Sequence, residues 1–285
     1  MQTLKFIILV FIIQLSIADN SFSQTTGPES GTLLIIGGNA SDSLFIPIFK
    51  ELAGGDQAEI VIIPTARDDE SLAKDSGFHH LRARFAKYQF KKITILHTRS
   101  PEVANSSEFS DPLTSATGIW IQGGRQWRLA DSYLNTRTHL EIFGVLHRKG
   151  VVAGTSAGAT IQGSYLVRGD TQTNTIMMGD HETGLALIKN IAIDQHLLAR
   201  NRHFDMFEVL EAKPDLLGIG LDENTAIIVN QNTFKVIGQH YIVVYDNTRW
   251  SAEKDTIFKL SPDQHEFYFL KPGEQYDMLN RTVIQ

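Results

Sequence analysis

The run Gly154-Thr155-Ser156-Ala157-Gly158 is a G-x-S-x-G pattern entered directly from the apolar Val151-Val152-Ala153. A serine on a tight strand-to-helix turn presents its hydroxyl at the edge of a sheet, and small neighbours let substrate and backbone come close. Those are the requirements of a nucleophile, although the same five residues also suit an ordinary glycine-rich turn. Upstream, Gly118-Ile119-Trp120-Ile121 reads as a strand ending in Gln122-Gly123-Gly124, and Ser156 follows Gly124 by 32 residues. That interval holds one crossover helix, so both strands end on the same carboxyl edge, where α/β sheets bind ligands. With the N–H of Ala157, the backbone at Gly123 and Gly124 suits an oxyanion hole. The competing reading is a helix-start turn that needs positive φ.

A serine hydroxyl needs a base, and a histidine base needs an orienting carboxylate. Among ten histidines, His196 stands out in Ile193-Asp194-Gln195-His196, at the end of an apolar strand, with Arg200 and Arg202 close behind. His240, in Gln239-His240-Tyr241, is its rival; the others, including His79-His80, have no ligand-like spacing. Asp222 and Glu223 lie in Gly218-Ile219-Gly220-Leu221-Asp222-Glu223-Asn224, a glycine-flanked turn before a buried strand. Two orders stay open on these residues alone: Ser156–Asp222–His240, as in an α/β-hydrolase, and Ser156–His196–Glu223.

The elements that must position these groups alternate along the chain. Thr32–Ile36, Glu59–Ile63, Ile93–Leu96, Gly118–Ile121 and Val151–Ala153 are short apolar runs, as expected of parallel strands buried on both faces. Between them, Leu44, Phe45, Ile48, Phe49 and Leu52 mark one helical face, Leu81, Phe85 and Tyr88 a second, and Leu140 to Leu146 a third that stops at Gly150. Beyond Ser156 the strands Ala226–Val229, Thr233–Ile237 and Tyr241–Tyr245 follow one another across short turns, which predicts antiparallel pairing, with Glu266–Leu270 a further strand. The fold class is therefore α/β, a three-layer, mostly parallel doubly wound sheet with antiparallel C-terminal strands.

Composition narrows the setting. Lys5 followed by the apolar run Phe6–Ile13 and the small residues Ser16 and Ala18 has the form of a cleaved export signal, so residues 1–24 are assigned as a leader and 25–285 as one domain. The expected location is periplasmic or secreted, with no membrane attachment after cleavage. A net charge of −6 disfavours nucleic acid as partner. The chain has no cysteine, which excludes disulfides, thiolate metal sites and a thiol nucleophile. Serine chemistry of this kind calls for no metal or organic cofactor.

Together, GTSAGA at 154–159, IDQH at 193–196 with the arginines after it, GIGLDENTA at 218–226, the turn Ile63-Pro64-Thr65-Ala66 and FLKPG at 269–273 resemble the cyanophycinase family. The resemblance spans about residues 31–279. These serine peptidases are related to the aspartyl dipeptidase called peptidase E and share a sheet architecture with class I glutamine amidotransferases. They cleave cyanophycin, a polyaspartate bearing arginine on each β-carboxyl, to β-aspartyl-arginine dipeptides. The resemblance implies Ser156 as nucleophile, His196 as general base and Glu223 as orienting acid, with Gln126, Asp194, Gln195, Arg200 and Arg202 lining the substrate site. It implies a peptide or polymer substrate, with a homodimer as the candidate assembly. Peptidase E-like dipeptidase action, an esterase using His240 and a non-catalytic binding protein on the same fold are the alternatives.

Three positions depart from the family pattern. Gly123-Gly124-Arg125-Gln126 stands where the family reads G-G-D-Q, Asp205 replaces a third arginine, and Gly37-Gly38-Asn39 lacks the usual acid. Arg125 and Asp205 have both reversed sign, so they are either a swapped ion pair at the substrate site or two independent changes.

Overall fold

The computed structural model describes residues 25–246, 250–252, 258–260 and 267–284. The expected leader and Glu266 lie outside the described residues. Five strands, β1 (Thr32–Ile36), β2 (Glu59–Ile63), β3 (Lys92–Ile95), β4 (Gly118–Ile121) and β5 (Val151–Thr155), lie in the order β3-β2-β4-β5-β1, all parallel. The apolar runs are continuous because both faces are covered. Leu33, Ile35, Val61, Ile63 and Val152 point to one core, and Leu34, Ile36, Ile60, Ile62, Val151 and Ala153 to the other.

Helices α1 (Asp42–Leu52) and α3 (His79–Ala86) cover the second face, with the short α2 (Asp69–Lys74) between them in sequence. Phe49 of α1 and Phe85 of α3 set their ring edges against Trp120, at 5.3 and 5.5 Å between centroids. On the first face lie residues of α4 (Pro101–Ala104), α5 (Ser107–Ser115), α6 (Gln126–Tyr133), α7 (Arg137–His147) and α8 (Ala157–Thr160).

A second sheet packs on that first face, which the sequence reading did not anticipate. It consists of β6 (Ile191–Gln195), β7 (Leu217–Leu221), β10 (Ile242–Asp246) and β13 (Phe267–Leu270), in the order β13-β10-β7-β6. Period-two alternation sends Ile191, Ile193, Leu217, Ile219, Leu221, Ile242 and Val244 into the main core. Ala192, Val243 and Tyr245 face outward onto Met206, Val209 and Leu210 of α9 (Met206–Ala212). The turn expected at Asp222 and Glu223 lies between β7 and β8, but the glycines before it belong to the strand Leu217–Leu221: an added Cβ at Gly218 would lie 2.6 Å from Met206 Cγ, and one at Gly220 2.7 Å from Leu197 Cδ1. The glycines let α9 and the chain after β6 sit directly on the sheet.

The three C-terminal strands expected as one antiparallel run therefore divide. β8 (Thr225–Asn230) pairs with β1 and with β9 (Thr233–Gly238), and β14 (Gln275–Asp277) and β15 (Thr282–Ile284) extend that edge. β10 leaves for β7 because Ile242 to Tyr245 are all fully buried and need cover on both faces, whereas β9 exposes Lys235. The strands β11 (Trp250–Ala252) and β12 (Phe258–Leu260) pair as a separate antiparallel ribbon.

Phe49→Ala would leave a void against Trp120, and truncations of this kind cost about 3–5 kcal/mol. Urea denaturation checks this: a loss under about 1 kcal/mol would show that Phe49 does not anchor α1.

Candidate active site

β5 of the large sheet delivers Ser156, and β6 of the small sheet delivers His196. Ser156 has φ 55° and ψ −115°, outside the regions open to most side chains, and its N–H donates to Ile36 O at 2.9 Å. Such a conformation costs on the order of 1–3 kcal/mol and persists only when its surroundings impose it. Here they do: an added Cβ at Gly154 would lie 2.0 Å from Gly158 O, so strand and helix close on one another around the serine. His196 also has positive φ, 54°, and its N–H donates to Gly37 O at 2.9 Å. Gly38, with φ +120°, packs directly on the imidazole, since an added Cβ would lie 2.3 Å from His196 Cε1.

The turn between β7 and β8 supplies the acid. Glu223 Oε1 is 2.6 Å from His196 Nδ1, and Ser156 Oγ is 2.9 Å from His196 Nε2. Glu223 Oε2 accepts from Asn39 Nδ2 at 2.9 Å, and Asn224 N–H donates to Gly38 O at 2.8 Å, tying that turn to the one after β1. Asp222 turns the other way. Its Oδ1 accepts from Leu198 N and Ala199 N at 3.0 and 2.9 Å and so fixes the segment after His196.

Burial lowers the His196 pKa, because the charged imidazolium is the harder form to desolvate. The hydrogen bond to Glu223 pulls upward, while the positive charges of Arg200 and Arg202 add to the lowering, and the net direction is down. Glu223 is held below the ordinary carboxylate range, first by its bond to His196 and further by Asn39, against the burial that opposes it. A neutral imidazole beside an ionised carboxylate can take a proton from the serine hydroxyl.

Gly123 lies against Ser156: an added Cβ would be 3.1 Å from Ser156 Cβ and 3.6 Å from Ser156 Oγ. Gly124 has φ +147°, and an added Cβ would fall 2.0 Å from Ala66 O. Of the two readings of this pair, Gly123 fits the site and Gly124 fits the turn. Gln195 Oε1 lies 3.5 Å from Ser156 Oγ and accepts from Arg202 Nη1 at 3.4 Å, so Arg202 reaches the site through Gln195. Burial, followed by repulsion from Arg168, pushes the Arg202 pKa down to about 10. Arg200 is exposed near His196, and His240 is exposed with its N–H on Thr225 Oγ1. His240 is not the residue that meets Ser156.

Three expectations are corrected. Asp194 does not line the site: it is fully buried, and Arg168 Nε and Nη2 donate to its two oxygens at 2.8 Å each. Gln126 is 1 % exposed and spends its amide on Val167 O at 2.8 Å, joining α6 to the segment before Arg168. Arg125 and Asp205 are not a swapped pair. Arg125 Nη2 donates to Asp170 O at 2.5 Å, whereas Asp205 Oδ2 accepts from Arg168 Nη2 at 2.6 Å.

Arg168 is what the sequence reading missed. It is 1 % exposed and holds Asp194, Asp205 and the carbonyls of Asn174 and Thr175 at once. Burial works against its charge, but the Asp194 and Asp205 bonds outweigh it and raise the pKa. Its only signal was a lone arginine after the apolar Tyr165-Leu166-Val167. Among the described residues, no group of three or more histidine, aspartate or glutamate side chains could hold a metal ion, and no helix is long and apolar enough to cross a membrane.

An α/β sheet with a serine at a strand-to-helix elbow, met by a histidine from a second sheet, defines a hydrolase of the serine type. The peptidase family S51 matches residues 33–237, and this chain belongs to that family as a serine-type peptidase. Cyanophycinase from Nostoc sp. is 29 % identical over 277 residues, covering 93 % of this chain and 91 % of its own. Cyanophycinase from Synechococcus elongatus is 29 % identical over 279 residues, 92 % of this chain and 84 % of its own. A crystal structure of a peptidase from an acI-B1 Actinobacterium shares the fold at a TM-score of 0.64 and 23 % identity, over 88 % of this chain and 98 % of its own. A putative peptidase E from Listeria monocytogenes superposes at a TM-score of 0.52 and 16 % identity, over 74 % of this chain and 99 % of its own.

Arg168→Met takes from the fully buried Asp194 its bidentate cation, leaving it only Arg202 at 3.9 Å, and breaking a buried pair of this kind costs roughly 3–5 kcal/mol. Chemical denaturation reads the loss, and wild-type stability would show that the cluster holds nothing together. Because Arg125 and Asp205 have separate partners, the stability effects of Arg125→Ala and Asp205→Ala are expected to add within about 0.5 kcal/mol. A larger coupling in a double-mutant cycle would restore the swapped pair.

Proposed function

We propose that this chain is an exported peptidase of cyanophycinase type that hydrolyses aspartyl peptide bonds through Ser156, His196 and Glu223. The observation that carries the reading is the line Ser156 Oγ, His196 Nε2 at 2.9 Å, His196 Nδ1, Glu223 Oε1 at 2.6 Å. In this mechanism Ser156 Oγ attacks the carbonyl carbon of the scissile bond as His196 Nε2 takes its proton. Glu223 holds the Nδ1–H tautomer and stabilises the imidazolium. The N–H groups of Gly123 and Ala157 receive the developing oxyanion, and Gly124 shapes the turn that presents them. His196 then gives its proton to the departing amine, leaving an acyl-serine. Water, deprotonated by the same imidazole, releases the acid product and regenerates the hydroxyl.

Cyanophycin or a related β-aspartyl-arginine chain is the substrate proposed, on the strength of the cyanophycinase relatives and of Arg200, an exposed cation near His196. Export rests on the form of residues 1–24, with 25–285 as one peptidase domain behind them.

Ser156→Ala and His196→Ala are each expected to lower kcat on cyanophycin by several orders of magnitude, and the double variant to be little worse, because the residues act as a unit. His240→Ala is expected to be mild. Near-wild-type turnover of His196→Ala would overturn the assignment, and hydrolysis of free aspartyl dipeptides without hydrolysis of the polymer would favour the peptidase E-like reading. Since the neutral imidazole is the active form and its pKa lies below 6.5, activity is expected to rise with pH along an acid limb centred below 6.5. A limb centred above 6.5 would contradict the balance of burial over the Glu223 bond.

A further inference from the structure

A glutamate has one more rotatable bond than an aspartate, and its terminal torsion is broad and roughly two-fold. One bond from Glu223 Oε1 to His196 therefore leaves the plane of the carboxylate, and with it the direction of Oε1, unfixed. The second oxygen decides it. Glu223 Oε2 accepts from Asn39 Nδ2 at 2.9 Å, and among the described residues no other donor reaches that oxygen. The Glu223 side chain is only 25 % exposed, so protein donors rather than open water set its orientation.

Asn39 stands on a turn with little freedom to move. It follows Gly38, whose missing Cβ makes room for the His196 ring, and it has positive φ itself, 41°. Three backbone donors tie this turn to the one that carries Glu223: Gly37 N–H donates to Thr225 O at 2.9 Å, Asn224 N–H to Gly38 O at 2.8 Å, and Ser41 N–H to Asn224 Oδ1 at 3.0 Å. Asn224 also has positive φ, 52°. Each asparagine thus sends its side chain across to the opposite turn, Asn224 to hold backbone and Asn39 to hold the carboxylate. The charged groups that face this junction are Arg200, beside both Glu223 and His196, and Arg202, beside His196.

We propose that Asn39 is a positioning residue of the triad, its amide pinning the Glu223 carboxylate so that Oε1 stays on His196 Nδ1. The role rests on the reading of Ser156, His196 and Glu223 as the reacting groups. Two properties suit asparagine to this place: it tolerates positive φ, and its amide donates. Glycine and aspartate share the first property, but glycine has no side-chain donor and an ionised aspartate only accepts. Those two substitutions keep the turn and remove the bond.

Turnover of cyanophycin from pH 6 to 9 by wild type, Asn39→Gly and Asn39→Asp tests the role. Asn39→Gly is expected to lower kcat at least ~10-fold throughout, with KM unchanged, because a loosened carboxylate misplaces the imidazole. In Asn39→Asp two carboxyl groups meet, and at the acid end they share a proton that restores a donor to Glu223 Oε2. Its kcat relative to wild type is therefore expected to fall at least ~5-fold from pH 6 to 9 as that proton is lost. This comparison lies within one variant, so a fold altered at both pH values does not imitate it. NMR of the His196 Nδ1 proton reads the same bond without substrate, and faster exchange with solvent is expected in Asn39→Gly. Wild-type kcat in Asn39→Gly, a constant Asn39→Asp ratio across the pH range, or an unchanged Nδ1 proton would each overturn the role. Wild-type kcat in Glu223→Gln would instead remove Glu223 as the orienting acid, a failure of the triad reading itself.

Discussion

The hydrogen bond between Ser156 Oγ and His196 Nε2 joins the ends of two different sheets, and most of the unusual local structure serves that junction. Neither partner sits in relaxed backbone: both have positive φ. Each is held at the end of β1, Ser156 N–H by Ile36 O, in the strand's last residue, and His196 N–H by Gly37 O, just beyond it. Gly38 allows the imidazole to lie flat on the turn that follows. One short segment therefore sets the distance between the Ser156 hydroxyl and the His196 imidazole.

Behind the junction lies a buried charge cluster. Arg168 ties β6, through Asp194, to the start of α9, through Asp205. Asp194 Oδ1 in turn accepts the N–H of Gln195, the residue before His196. Rigid placement of a histidine needs more than its own packing, and here a satisfied ionic network fixes the strand end from which it projects. Arg202 lies within 3.9 Å of Asp194 and donates to both the carbonyl and the side chain of Gln195, so the same network reaches the wall of the active site.

Much of this was legible in the residues. Parallel strands declared themselves through apolar runs, and the elbow through glycines at 154 and 158, because those signals are local in sequence. His196, His240, Asp222 and Glu223 were all visible as candidates, yet which histidine comes to lie against Ser156 depended on which strand leaves the main sheet, and pairing of distant strands leaves no local mark. The second sheet was hidden for the same reason, and Gly218 and Gly220 masked β7 because glycine reads as a turn when its real task is to admit Leu197 and Met206. Asp194 and Gln126 were placed at the substrate by the family resemblance, which carries residue types from position to position but not the partners they meet in this chain. Their partners, Arg168 and the Val167 carbonyl, are distant in sequence, and only the fold shows that they are internal struts.

The proposed chemistry needs a neutral imidazole whose Nδ1–H faces Glu223 and whose bare Nε2 faces the serine. Nitrogen-15 NMR of histidine-labelled protein at pH 7.5, with the His196 signals identified by their loss in His196→Ala, reads this arrangement directly. The account expects the Nδ1-protonated neutral tautomer for His196. A dominant Nε2-protonated tautomer, or an imidazolium at that pH, would contradict it.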